Sequence, residues 1–545
     1  MAELDTIGQI KKCLDGGASF VVEAGAGSGK TRALVDTIRY VIDSRGDDLA
    51  QANQRIACIT YTNVAKDEIR SRLNDHPLVV VDTIHEFLWS VIADYQDELK
   101  AAILAQNAVD TKKPIENLHE LLATVRVSYG QFGRHFDRGE IFHDDVLSIA
   151  SSLFETYPKI SRIAAERFPY LFVDEYQDTA SSVVGLLTTH FVEAPRPPVV
   201  GFYGDSMQQI YQTGIGSIPE SAGLTEITKV ENYRCSVAVI DVLNRIRPAL
   251  QQVPAGNNAQ GEVHLLTSSG DPGASFGLAM TLLGERGWTA ANTKVLVLTH
   301  KGIAREVGYA ELLRVFSTLP FGTDRLMKRE DAYGEFFEFV ESLCESYGRK
   351  DYGEFLSHLG KAGYRLSAHS QKQALLDYME TLAEKRLAGT IGDMLAFLDT
   401  TSFISKPSKL VRLENELKDT DDPEVAKKLE FHQELIAIPY SEVVAFMSYV
   451  NDNTPFSTKH GVKGAEFENV LVVIDDSLWT QYKFADVFTH NASNAVRLER
   501  STKLLYVCFS RAIHGLAVLS LTQLDPSQLA GASDLLGVAP VDLIS

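Results

Sequence analysis

The stretch Val21 to Thr31, VVEAGAGSGKT, decides the fold. An apolar run breaks into a glycine-rich loop that ends in Gly29-Lys30-Thr31. The run has the character of a buried strand, and Arg32 to Val41 repeats apolar residues at helical spacing through Leu34, Ile38 and Val41. Strand, loop and helix bring backbone N–H groups and a helix N-terminus to one point, which suits a phosphate. In such a loop Lys30 reaches the β- and γ-phosphates and the Thr31 hydroxyl binds Mg²⁺. The cradle is Ala24, Gly25, Ala26, Gly27, Ser28 and Gly29. The strict pattern has glycine where Ala24 stands, and alanine keeps that position small. The chain is read as binding a nucleoside triphosphate.

Working outward, Tyr170 to Val173 is a second apolar strand, followed at once by Asp174-Glu175. A strand ending in two carboxylates supplies the other half of such a site: Asp174 to hold Mg²⁺ through water, Glu175 to polarise the attacking water. Pro198 to Tyr203 leads into Gly204-Asp205-Ser206-Met207-Gln208, where the Gln208 amide can sense a γ-phosphate. Two more strands, Arg55 to Tyr61 and Val79 to Val81, end in Tyr61-Thr62-Asn63 and in Asp82-Thr83-Ile84-His85. Hydroxyl, amide and aromatic groups at strand ends lie where parallel sheets hold ligands. Helices are expected at Val64 to Leu73 and, after Lys229 to Cys235 (KVENYRC), at Val237 to Arg247. Gln9 precedes the loop on a short amphipathic segment, and its amide can both donate to and accept from an adenine edge.

Composition limits the alternatives. The chain has 545 residues, 45% of them hydrophobic, which suits several globular domains. No apolar run approaches the length needed to span a bilayer, so no membrane partner is expected. The N-terminus lacks signal character, and Cys13, Cys58, Cys235, Cys344 and Cys508 are too scattered for a metal ribbon or a disulfide framework. A cytoplasmic location follows as an expectation. The net charge of −20 disfavours indiscriminate sliding on duplex but leaves a local basic channel open.

Eight signatures in order carry a resemblance: AGAGSGKTR, TYTN, the Thr-His of VDTIHEF, VDEYQDT, GD–QxIY, ENYR, then STKHGVKGAEF (Ser457 to Phe467) and LYVCFSRA (Leu505 to Ala512). The chain resembles superfamily 1 DNA helicases of the UvrD/Rep/PcrA type. The resemblance implies an α/β fold of two RecA-like parallel-sheet domains, each with a mainly helical insertion. The first domain would be 1–86 and 168–230 with insertion 87–167, and the second 231–310 and 441–545 with insertion 311–440. It implies ATP and Mg²⁺ as cofactors and single-stranded or partly duplex DNA as partner. On the nucleotide side, Arg234 and Arg511 match the family's γ-phosphate arginines, supplied by the second domain. Tyr233 matches the adenine-stacking tyrosine, Arg32 the loop arginine, Glu466 the acid near the ribose and Gly464 a further nucleotide-binding position, with Gln9 as the adenine-reading glutamine. On the DNA side, Tyr61, Thr62, Asn63, Thr83, His85, Tyr211 and His460 match contact positions.

One departure stands out. After GD–QxIY the family continues with tryptophan and arginine, where this chain has Gln212-Thr213-Gly214-Ile215-Gly216. Phosphate chemistry reads as complete and the grip on DNA as altered. The wording GFYGDSMQQIY and STKHGVKGAEF resembles helicases encoded beside OLD-type nucleases, as in Gabija-type anti-phage systems, which implies a nuclease as partner protein. Two activities follow. One is an ATP-driven translocase along single strands, 3′ to 5′ by resemblance, that unwinds duplex. The other is an ATPase switch that senses DNA or nucleotide and regulates a nuclease without processive unwinding.

Overall fold

The computed structural model describes residues 5–109, 114–130, 133–209, 214–219, 223–268, 270, 272–297, 300–364, 366, 371–400, 404–418, 423–451, 456–457, 465–478, 481–489 and 494–543. The chain divides into two compact units. Unit 1 is Met1–Glu262 with Glu499–Gly515, and unit 2 is Val263–Leu498 with Leu516–Ser545.

Unit 1 is built on six strands: β1 (Phe20–Ala24), β2 (Ile56–Thr60), β3 (Val79–Thr83), β4 (Tyr170–Asp174), β5 (Val199–Gly204) and β6 (Thr225–Lys229). They lie in the order β3-β2-β4-β5-β1-β6, every neighbouring pair parallel. Strands covered on both faces must be apolar throughout, and β2 and β5 are buried at every position. Side chains alternate between the two faces. Phe20 and Val22 of β1 join Phe172 and Tyr203 in a core with Ile10, Leu34 and Ile38, on the helices α1 (Thr6–Gly16) and α2 (Lys30–Gln51). Val21 faces the other way, into a core with Ile59, Leu171, Val173 and Phe202. Each such buried side chain contributes roughly 1.5–3 kcal/mol. Helix α2 continues ten residues past the periodic stretch that ends at Val41, to Gln51.

The second core extends into helices Ile84–Ile92, Gln96–Val109, Leu118–Ala123, His143–Thr156 and Pro158–Arg167, which leave the sheet after β3 and return at β4. A helix follows each of β1, β2 and β3, so their C-terminal ends and helix N-termini gather on one edge. That edge carries the candidate site.

Unit 2 is likewise α/β. Its sheet runs Phe456–Ser457, Thr293–Val297, Phe467–Ile474, Ala512–Ser520, Glu262–Ser268, Pro540–Leu543, with parallel pairing of Thr293–Val297 to both of its neighbours. Helices from His300–Val307 to Tyr440–Val450 lie between the second and third of these strands in the chain. They pack on Val295, Val297, Leu471 and Val473 through one large core. Inside it a buried carboxylate, Glu341, takes both Nε and Nη2 of Arg386 at 2.7–3.0 Å, the pairing a buried charge requires. Among the described residues, no helix is long and apolar enough to cross a membrane.

Candidate functional site

The loop after β1 takes the shape its glycines permit. Gly27 and Gly29 have φ of 71° and 76°, the left-handed region that favours glycine. A side chain at Gly27 would also meet Asn232 Oδ1 at 2.8 Å. Gly29 is the N-cap of α2 and gives that helix no side-chain cap, so the helix's first N–H groups face the loop without an internal partner. The Ser28 hydroxyl is buried and has no hydrogen-bond partner among the described residues. A buried hydroxyl without a partner, beside a bare helix N-terminus and a lysine, is the arrangement an incoming phosphate oxygen satisfies.

Lys30 lies at the head of α2 with its Nζ 2.7 Å from Glu175 Oε2. Burial alone would depress its ammonium, but Glu175 and Asp174 outweigh that and hold its pKa above lysine's usual value. Asp174, at the buried end of β4, accepts the backbone N–H of Glu175 at 3.0 Å. Glu175 itself has φ of 52°, a left-handed conformation that costs a non-glycine residue energy and turns its carboxylate out of the strand line. Gln177 fixes that turn. Its Nε2 donates to Glu175 Oε2, and its Oε1 accepts Asp205 N–H at 3.1 Å.

Asp205, at the end of β5, is the polar centre of the site. It accepts Gln208 Nε2 at 2.8 Å, Arg247 Nη1 at 2.9 Å and the Tyr506 hydroxyl at 3.2 Å. Burial still raises its carboxyl, with Arg247 opposing. Gln208 Oε1 in turn accepts Arg511 Nη2 at 3.1 Å. Arg511 is 2% exposed, with Nε on Val507 O at 3.0 Å and Nη2 also on Ser510 Oγ at 3.0 Å. Burial, then Arg234 beside it, pulls the Arg511 pKa down to about 10. It remains charged at neutral pH, and the two guanidiniums make this pocket favourable to an anion. Arg234 is held by Nη1 on Ser510 O at 3.3 Å and by its own N–H on Asn232 Oδ1 at 2.9 Å.

Lys30, Asp174, Glu175, Gln208, Arg234 and Arg511 therefore all fall in unit 1, around the loop. Tyr233 joins them: its N–H donates to Gly27 O at 3.0 Å, and its ring lies 3.8 Å from where a Gly29 side chain would start. That ring is 55% exposed, open to a stacking partner. Thr31 follows Lys30 in α2 and is half-buried. Thr31 and Asp174 fit Mg²⁺ only together with phosphate oxygens and water. Among the described residues no cluster of three or more His, Cys, Asp or Glu could hold a metal alone. Gln9 is half-buried on α1, and Arg32 is exposed and 3.7 Å from Asp36. Glu466 is exposed in unit 2. Tyr211, His460 and Gly464 lie outside the described residues.

At the ends of β2 and β3, Tyr61 is 42% exposed, and Thr62 and Asn63 are exposed beside it. Thr62 caps helix Asn63–Arg72, accepting Ala65 N–H at 3.2 Å. Thr83 and Glu86 form a capping box on helix Ile84–Ile92, and His85 is half-buried with its ring 4.9 Å from His143. Of the departing segment, Gln212 and Thr213 lie outside the described residues, but Gly214 to Gly216 are described. Ile215 N donates to Thr179 O at 2.9 Å and Gly216 N to Gln177 O at 3.1 Å. A side chain at Gly214 would meet Gln177 O at 2.3 Å. The segment is thus laid against the turn that carries Glu175.

Sequence reasoning missed Glu23, Gln177, Asn232, Arg247, Gln252 and Tyr506. Glu23 had a signal, a carboxylate inside an apolar run.

The UvrD/REP helicase N-terminal domain matches residues 8–129 and 104–214 of this chain. That span holds the phosphate loop, Asp174, Glu175 and Gln208. The chain is similar to the Gabija protein GajB of Bacillus cereus, 24% identical with 95% of each chain covered. It is also similar to the ATP-dependent DNA helicase PcrA of Staphylococcus aureus, 25% identical over 283 residues, which cover 42% of this chain and 37% of PcrA.

Proposed function

We propose that this chain, whose residues 8–129 and 104–214 match the UvrD/REP helicase N-terminal domain, is an enzyme of the helicase class that hydrolyses ATP to move along single-stranded DNA. The direction is 3′ to 5′, as the resemblance implies, and the role is in phage defence beside a partner nuclease of the OLD type. The observation that carries the ATP reading is the Lys30–Glu175 pair facing the Gln208–Arg511 pair around one glycine loop, with the Ser28 hydroxyl left over.

Each residue then has one task. Lys30 exchanges Glu175 for phosphate oxygens and stays an ammonium, since one anion replaces another beside it. Release of Glu175 leaves Oε2 to accept a proton from the attacking water, while Gln177 keeps the carboxylate aimed. Gln208 presents its amide to the γ-phosphate, and Arg511 and Arg234 meet the charge that grows there. Tyr233 stacks on the base. Bound Mg²⁺, held by Thr31 and Asp174, supplies neutralisation of the phosphate charge.

The test is ATP turnover with and without single-stranded DNA. Stimulation of several-fold or more is expected, and turnover indifferent to any DNA would overturn the translocase. The switch reading draws on Gln212 to Gly216, where the family has a tryptophan and an arginine; of these, Gly214 to Gly216 pack against the Gln177 turn. A strand-displacement assay on the isolated chain separates the two, because processive unwinding excludes a pure switch.

A further inference from the structure

The phosphate loop is braced from beneath by groups that the hydrolysis itself does not require. Ala26 N–H donates to the Tyr506 hydroxyl at 3.0 Å, and that hydroxyl lies 3.2 Å from Asp205 Oδ2. The polarity of this bridge is forced. A backbone N–H can only donate, so the hydroxyl accepts it and gives its own proton to Asp205 Oδ2. Asp205 Oδ1 takes Arg247 Nη1 at 2.9 Å, and Arg247 Nη2 reaches Glu23 Oε1. Glu23 lies on β1, three residues before Ala26. The chain of contacts therefore closes on itself: Glu23, Arg247, Asp205, Tyr506, Ala26.

Every side chain in the ring except Glu23 is fully buried or nearly so: Tyr506 is 1% exposed, Asp205 1% and Arg247 7%. Burial, then Asp205, keeps the Tyr506 hydroxyl far from ionising, so it remains a neutral donor at any working pH. Gln252 Nε2 and Asn232 Nδ2 hold Ala26 O at 2.8 and 2.9 Å, so the peptide groups on either side of Ala26 are both fixed. Tyr506 is five residues from Arg511, and both reach the same sensor. Arg511 bonds Gln208, whose amide bonds the Asp205 oxygen that Tyr506 also uses.

We propose that Tyr506 is a positioning residue that carries the state of the γ-phosphate sensor to the phosphate loop. The proposal rests on the ATP reading above. When Gln208 turns to a γ-phosphate it leaves Asp205 Oδ2, and the Tyr506 hydroxyl becomes the main donor to that oxygen. The Ala26 peptide follows it, so the loop holds a triphosphate in a different shape from a diphosphate. Without the hydroxyl, the sensor and the loop answer separately.

Tyr506→Phe removes one oxygen and keeps the ring. The full chain is titrated with ADP and with a non-hydrolysable ATP analogue, and turnover is measured alongside. In the variant, ADP affinity stays close to wild type while preference for the analogue over ADP falls about fivefold, the low end of typical site coupling. kcat falls, and KM for ATP rises in step with the weaker binding of the analogue. An unchanged preference with unchanged kcat overturns the proposal, and so does an equal weakening of both nucleotides with a lowered Tm, which marks a packing role. If Tyr506→Phe does not fold, Arg247→Lys, which keeps the charge but loses the two-armed contact, is expected to show the same loss of preference. A preference equal to wild type in that variant overturns it as well. If wild type binds neither nucleotide, the ATP reading has failed instead.

Discussion

In unit 1 the loop after β1 and the ends of β2 and β3 share one edge of a parallel sheet, yet they treat charge in opposite ways. Around the loop, charged groups are largely buried and each is held: Lys30 by Glu175, Arg247 by Glu23 and Asp205, Arg511 by Val507 O and Gln208. A buried polar atom left over, Ser28 Oγ, lies in the loop itself, where a ligand would meet it. At the ends of β2 and β3 the apolar and aromatic groups are the open ones, with Val64 79% exposed next to Tyr61. The nearby cation is already taken, since Lys66 Nζ lies 3.0 Å from Asp82 and 2.7 Å from Glu86. One region is organised for an anion of fixed shape. The other offers stacking surface beside an ammonium outnumbered by two carboxylates, so its hold on DNA should depend on rings rather than on phosphate contacts.

The largest break in this contrast should come from Arg511→Ala. An arginine that meets transition-state charge is worth about 10³-fold or more in kcat, so ATP turnover should collapse while the fold persists by circular dichroism. Arg511→Lys should restore little, because an ammonium cannot satisfy Val507 O, Gln208 and Ser510 from one fixed plane. Glu175→Gln should lower turnover by about 10²-fold through loss of the base, yet tighten nucleotide binding, because it frees Lys30 from its ion pair. Equilibrium binding beside turnover reads both signs. A variant that loses binding instead would show that Glu175 organises the loop rather than the water.

On the other side of the contrast, Tyr61→Ala should weaken single-stranded DNA binding by roughly 1–3 kcal/mol, as removal of one stacking ring does. DNA-free ATP turnover should not change, and fluorescence anisotropy with turnover checks both. Thr62→Ala is smaller. Loss of the cap on helix Asn63–Arg72 should cost about 1 kcal/mol of stability, seen in the urea midpoint. If DNA affinity falls further than stability, Thr62 contacts the strand as well as capping the helix.

The same contrast explains what could be read in advance. β1, β2, β4 and β5 were legible because strands buried on both faces are apolar throughout. β6, Thr225–Lys229, was not, because an edge strand with three exposed positions out of five carries no such run. The second half of α2, IDSRGDDLAQ, was illegible because Gly46 and its acidic residues dilute the periodicity, and the helix is completed by packing of Leu49. The residues gathered around the loop were legible because their spacing in the chain is their chemistry. The brace beneath them was not: Arg247 meets Glu23 across 224 residues and Tyr506 meets Ala26 across 480, and no local pattern reports a contact of that range.

The smallest effect tests whether the β3 end meets DNA phosphate at all. His85 is held below histidine's usual pKa of 6.5, by burial first and then by His143, with Asp144 and Glu86 opposing. A lowered folded-state pKa means the proton prefers the unfolded chain, so the stability tied to neutral His85 is intact above 6.5 and is lost as pH falls through the lowered value. Tm should therefore decline between about pH 7 and pH 5 more steeply in wild type than in His85→Gln. A DNA phosphate beside the ring would supply the counter-charge and reverse the sign, so saturating single-stranded DNA should flatten the wild-type decline and leave the variant's slope unchanged. If DNA binds and leaves both slopes as they were, phosphate does not approach His85, and the test passes to the Tyr61 ring and its neighbours.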